Sequence, residues 1–426
     1  MPVGARPRLK TPFLPLQSAF VNPTTPAGAS TGPLAGVRVL ELATVVLGPW
    51  ACQMLGDLGA DVVKVEPPGG DSNRQVGPKR SPDMGALFLN CNRNKRSVVL
   101  DLKHPAGRAA ALRLAARADV LVHNYRPAAL ARLGLEYEAV RAVNPGIVYC
   151  GTYGYGREGP YRDRPAYDDS IQAAAGLTML QAGALGEPPF VPTILADKTT
   201  ALAVVSAVNA ALFHRARTGE GQEIEVPMFE TLVWFVMAEH LWGETFEPAA
   251  GPIGYSRLLS AERRPLRTSD GYLAVLPYLD EHWRAFCAAA DRRDLLAQSR
   301  FASLPSRLEH IDDLYRALAE VMATRSTAEW IDALDRAGVP AVRLSRLQDL
   351  LSDEHLRATG FWSIAEHPTE GRLRLPAHPS RFSATPAGIG RLAPRLGEHT
   401  REVLSEAGFD EAEIDALMVA RGASPS

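Results

Sequence analysis

VRVLELATVVLGPWACQMLGDLGADVVKVE, residues 37–66, decides the fold. Residues 37–42 (VRVLEL) have the short apolar make-up of a buried strand, and residues 61–66 (DVVKVE) repeat it. Between them, residues 43–49 read as a loop and 50–59 as a helix, with Gly48-Pro49 at its entrance. Strand, loop, helix and strand make a βαβ unit. The alternation continues outward through a strand at 97–102, a helix at 105–118 with Pro105 in its first turn, and a strand at 119–124. A helix at 136–143 and a strand at 147–152 follow. This order implies an α/β fold whose mostly parallel sheet is covered by helices on both faces. Ligands of such sheets bind beyond the carboxyl ends of the strands. Gly, Pro and Asn gather at those ends, at 48–49, 67–71, 124–127 and 153–156. No GxGxxG follows the first strand, which disfavours a nicotinamide or flavin dehydrogenase.

Further on, residues 199–217 read as a long helix, 223–226 as a strand and 229–242 as a helix. The stretch 244–267 is rich in Gly, Pro and Arg, and a domain boundary is placed there. The expected division is a large domain begun by 33–243, a smaller α+β domain at 244–342, and a return through 343–426 that completes the large one. Pro and Arg are dense at 367–395, as in a connecting arm, and 400–418 reads as helical. Residues 1–32 carry Arg6, Arg8 and Lys10 but no acidic residue. Their prolines break any amphipathic helix, so a disordered extension is expected in place of a transit peptide.

The 426 residues are 46% hydrophobic and 22% charged, with a formal charge of −2, which argues against a nucleic-acid partner. The longest apolar run, 201–213, stops at His214, Arg215 and Arg217, so a buried helix is expected there and no membrane span. Cys52, Cys91, Cys150 and Cys287 form no CxxC pair and sit in apolar stretches, as small buried hydrophobes do. No metal site or disulfide is expected. A cytoplasmic location follows, or an organelle matrix should residues 1–32 be a transit peptide.

Several segments together resemble the class III CoA-transferases, the CaiB/BaiF or formyl-CoA transferase-like family. They are PLAGVRVLEL (33–42), GPWACQMLGDLGADVVKVEPPGGD (48–71), NKRSVVLDL (94–102), DVLVHNYRPAALARLG (119–134), NPGIVYCGTYGYGREGP (144–160) and RTGEGQEIEVPMFE (217–230). TSDGYLAV (268–275) and PRLGEHTREVL (394–404) agree. The resemblance implies a Rossmann-like large domain made from both ends of the chain, a small domain between them, and a homodimer of interlocked rings. It implies coenzyme A as a substrate, with no prosthetic group. It also places the catalytic carboxylate in TILADKTT (193–200), at Asp197.

By position alone an Asp before a helical run is an N-cap. The two roles are compatible, because a helix N-terminus favours an ionised carboxylate by roughly 0.3–1 kcal/mol at exposed sites. In the implied mechanism Asp197 attacks a thioester, the released thiolate returns to make an aspartyl-CoA thioester, and an acceptor acid reverses the sequence. Racemases of the family carry a His in a Gly-His-Asp segment where this chain reads Ala166-Tyr167-Asp168. A tyrosine with pKa near ~10 is a poor substitute, which favours CoA transfer over racemisation. Tyr167 is expected to pack against substrate or core, and Asp168 and Asp169 to start a helix.

The resemblance puts the CoA pocket at Val45, Val46, Leu47, Asn94, Lys95, Arg96, Leu100, Asn124, Tyr125, Ala129, Arg132 and Leu133. Lys95, Arg96 and Arg132 are the expected phosphate partners. Two positions depart from the formyl-CoA transferase pattern: Pro67 replaces a phosphate-binding Arg, with Arg74 a candidate substitute, and Val46 replaces a Gln. The tetraglycine loop over the oxalate/formate site is missing too, so another acid is expected as acceptor. Tyr255, Arg257 and Lys198 suit a dicarboxylate. The alternatives are a racemase, an epimerase or an intramolecular transferase of the same fold, and a CoA-binding protein without chemistry.

Overall fold

The computed structural model describes residues 31–420. The extension expected over 1–32 therefore lies, up to residue 30, outside the described residues. Strands β1 (Arg38–Leu42), β2 (Asp61–Glu66), β3 (Lys95–Val99), β4 (Val120–His123), β5 (Val148–Gly151) and β6 (Gln222–Glu225) form one sheet. Its order is β3-β2-β1-β4-β5-β6 and every pair is parallel. The connections carry helices α1 (Leu47–Asp57), α2 (Ala86–Cys91), α3 (Pro105–Ala115), α4 (Pro127–Leu133) and α5 (Tyr137–Val143). Helices α6 (Asp168–Ala174), α7 (Leu177–Leu185) and α8 (Leu195–Thr218) separate β5 from β6, and α9 (Met228–His240) follows.

A parallel sheet is covered on both faces, so its strands read as continuous apolar runs. Alternate residues of those runs feed two cores. Val39, Val62, Val120 and Val148 face α1, α8 and α9, whereas Leu40, Val65, Leu121 and Tyr149 face α3 and α5. Each fully buried Val or Leu contributes roughly 1.5–3 kcal/mol. The chain runs β1 to β2 to β3 in one direction, then β4 to β5 to β6 in the other. The reversal falls between β1 and β4, and open α/β sheets bind ligands in a crevice beyond the carboxyl ends at such a point.

A third core belongs to residues 266–339, with Trp283, Phe286, Trp330 and Leu334 at its centre. It backs an antiparallel sheet of β7 (Leu266–Arg267), β8 (Tyr272–Val275) and β9 (Ala341–Arg343). The chain then forms a hairpin of β10 (Trp362–His367) and β11 (Gly371–Pro376) and returns to the large sheet. Gly388 N–H donates to the Asp57 carbonyl, Asn94 N–H to Arg391, and His399 N–H to Ser97, at 2.8–3.0 Å. The final helices, Thr400–Glu406 and Glu411–Ala420, place Val403, Ala407 and Leu417 on the second core.

Several local expectations are corrected. The first helix begins at Leu47 instead of residue 50, because Pro49 fits a first turn that needs no N–H from it. The third strand spans Lys95–Val99 instead of 97–102. The expected arm at 367–395 includes a strand of the hairpin, and the terminal helix breaks at Gly408, whose φ is +82°. The long helix starts at Leu195, not 199. Among the described residues α8 is long and apolar enough, by length and composition, to cross a membrane. Ala196, Thr200, Ala201, Val204 and Val208 bury one face of it, while Leu202 and Phe213 are exposed.

Candidate active site

The expected ligand crevice lies between the β1–α1 loop and the end of β4. Asn124 joins the two: its side chain accepts the Thr44 N–H at 3.1 Å and donates to the Thr44 carbonyl at 2.7 Å. Val45, next in the loop, has φ +70°. The left-handed region costs an L-residue roughly 1–2 kcal/mol, and a β-branched side chain there is a real outlier. Tyr125, Ala129 and Leu133 are half-buried beyond Asn124, and Arg132 is exposed.

Asp197 reaches the same end of the sheet. Helix α8 runs antiparallel to the strands, as its last turn shows: Arg215 bonds the Asp119 side chain and the carbonyls of Asp119 and Gly146, just ahead of β4 and β5. The first turn of α8 therefore lies beyond the carboxyl ends. The N-cap is Ile194, not Asp197, which is the third residue of the helix. Its backbone N–H donates to Asp168 Oδ1 at 3.0 Å, while Gln172 holds Asp168 Oδ2 at 2.6 Å.

The Asp197 carboxylate is half-buried and has no hydrogen-bond donor or cation among the described residues. Burial, then the neighbouring Asp168 carboxylate, push its pKa up to about 7. Those effects outweigh the helix terminus, which alone would favour the anion. Asp168 starts α6 as expected, but the sequence held no sign that it touches Asp197. Tyr167 is 74% exposed, so it does not pack against the core.

The expected CoA-contacting residues separate into two groups. Val45, Asn124, Tyr125, Ala129, Arg132 and Leu133 keep accessible surface. Lys95 is fully buried, bonded to Glu41, the Pro49 carbonyl and Asn92 at 2.7–2.8 Å, and is not available to a phosphate. Arg96 is spent on Asp61, Glu402 and Glu406 at the amino end of the sheet. Asn94 lies at that end too, tying Asp57 to residues 388–391. Leu100, Val46 and Leu47 are buried in the cores. Arg74 is bidentate with Glu66 at 2.7 Å and fully buried, so it does not replace the missing arginine at Pro67.

In the smaller sheet's neighbourhood, Arg257 donates to the hydroxyls of Tyr255 (3.3 Å) and Tyr315 (3.2 Å) and pairs with no carboxylate among the described residues. Lys198 donates to Thr193. All four cysteines are free and buried, and burial pushes Cys91 up to about 11 and Cys150 and Cys287 up to about 12. Such thiols are inert.

Residues 34–400 match the family described as CoA-transferase family III. The chain is 32% identical over 394 residues to a succinyl-CoA:glutarate CoA-transferase of Mus musculus, covering 91% of this chain and 90% of that protein. It is 33% identical over 384 residues to a succinate–glutarate CoA-transferase of Agrobacterium fabrum, covering 88% and 95%. A crystal structure of a CAIB/BAIF family protein from Brucella suis superposes with a TM-score of 0.74 at 32% identity, over 89% of this chain and 100% of that one.

Proposed function

The chain belongs to CoA-transferase family III, and on that premise we propose that it moves coenzyme A from an acyl-CoA donor to a carboxylic acid through a covalent intermediate on Asp197. The observation that supports this best is the Asp197 carboxylate itself, half-buried beyond the carboxyl end of the sheet and, among the described residues, without a cation or donor. A poorly solvated carboxylate is a stronger nucleophile than one in water. Attack on the thioester carbonyl expels CoA thiolate and leaves a mixed anhydride. The thiolate then attacks the aspartyl carbonyl, releasing the donor acid and leaving an aspartyl-CoA thioester. The acceptor carboxylate runs both steps in reverse, and the site must exclude water throughout.

Coenzyme A would lie in the crevice, along the Val45 loop and past Asn124, Tyr125, Ala129 and Leu133, with Arg132 as the accessible cation for a phosphate. A dicarboxylate is the favoured acceptor. Two relatives are named for glutarate, and Arg257 holds a guanidinium without a counter-anion among the described residues. Trp234 and Phe235 of α9 and Leu202 and Phe213 of α8 are large apolar side chains left exposed, which suits burial in an interlocked homodimer. The division into 33–243, 244–342 and 343–426 belongs to the same proposal.

Asp197→Ala is expected to abolish turnover and leave CoA binding intact. Incubation of the parent with an acyl-CoA and no acceptor should add the mass of CoA, less water, to the chain; turnover retained by the variant overturns the covalent route. The racemase alternative requires α-proton exchange in deuterated water without acceptor acid.

A further inference from the structure

The β1–α1 loop beside the expected crevice, and the first turn of α1, are gripped along their backbone by side chains from elsewhere. Lys64 of β2 donates to the Ala43 carbonyl at 2.7 Å, and Asn124 holds both polar groups of Thr44. Asp71 Oδ1 accepts the Val45 N–H at 3.2 Å, the Asn73 side-chain amide donates to the Val45 carbonyl, and Lys95 donates to the Pro49 carbonyl at 2.7 Å. Asp71 has further bonds. Its Oδ1 also accepts the Asn73 N–H at 3.0 Å, and its Oδ2 pairs with Lys64 at 2.9 Å. Lys64 continues to Glu41 at 2.8 Å, and Glu41 to Lys95 at 2.7 Å, all of it fully buried.

At the centre of this grip stands Val45, with φ +70°. Strain of that kind persists only where the surroundings over-determine it. A valine released from the grip would fall back to the extended region and turn its N–H and carbonyl away. Glycine would follow the same path without strain. The strained valine is thus a cost of keeping an apolar side chain at the lip of the crevice.

We infer that Asp71 and Asn73 are positioning residues, which hold Val45 in its left-handed conformation and so preform the crevice wall for the coenzyme A ester. The inference rests on the crevice being the CoA site. A preformed wall need not be ordered when the ligand arrives, and the ligand binds more tightly by that difference.

The test is a double-mutant cycle on the full chain, read by calorimetric titration with free CoA and by steady-state kinetics with an acyl-CoA donor. Asn73→Ala is expected to raise Kd for CoA, and KM for the donor, by about five- to tenfold, the scale of one hydrogen bond. The value of kcat should change less than about twofold, because the loss is in uniform binding. In a Val45→Gly background the same substitution should lose most of its effect, since glycine adopts φ +70° without the strain that the Asn73 bond offsets for valine. Asn73→Ser serves where the alanine variant does not fold.

An unchanged Kd in the variant, equal effects in both backgrounds, or a loss of kcat at constant KM overturns the inference. A parent that does not bind CoA overturns the reading of the crevice and the clamp with it. A parent that binds and transfers CoA, beside an Asn73 variant that binds equally well, overturns the clamp alone.

Discussion

At the scale of the residue, Asp197 holds its proton up to about pH 7 because burial and the Asp168 carboxylate both disfavour its anion. Only the anion attacks a thioester. The rate constant kcat/KM should therefore rise with pH through about 7 and level off above it. Asp168→Asn removes the neighbouring charge yet keeps an oxygen for the Asp197 N–H. Its inflection should move to lower pH but stay above the ordinary aspartate value near ~3.9, since burial remains. A pH–rate profile of parent and variant decides the matter; coincident inflections would show that Asp168 does not tune the proposed nucleophile.

At the scale of the element, helix α1 starts where two chain segments nearly touch. A Cβ on Gly48 would lie 2.3 Å from the Ala43 Cβ, nearer than two carbon atoms can approach. Gly48→Val should push α1 from β1 and lower stability by about 1–3 kcal/mol through overpacking. The denaturant midpoint would report the loss, and a midpoint equal to the parent's would mean that the loop relaxes freely. The Gly-Pro pair was legible in the sequence as a helix entrance. That the glycine is small because Ala43 lies opposite was not, since the approach is set by how the loop folds back.

At the scale of the whole molecule, Trp234 of α9 is 77% exposed, which suits the proposed interlocked homodimer. Linked rings cannot separate without unfolding a ring. Light scattering should give twice the chain mass, and dilution should not release monomer until denaturant unfolds the subunits. A folded monomer on dilution would rule out the interlocked arrangement.

The chain's local pattern determined the parallel α/β elements, because apolar runs and Gly/Pro punctuation act over a few residues. Motif order pointed to the family and to Asp197. Tertiary structure alone decided the partners of the charged groups. Lys95, Arg74 and Arg96 look alike as candidate phosphate ligands in the sequence, yet Lys95 and Arg96 are consumed by groups more than thirty residues away, and Arg74 by Glu66 and the distant Pro394 carbonyl. Asp168 meets Asp197 only because α6 packs beside α8. An ionisable side chain takes its role from what lies within a few ångströms, and that proximity is created by strand order and helix packing, not by neighbours in sequence.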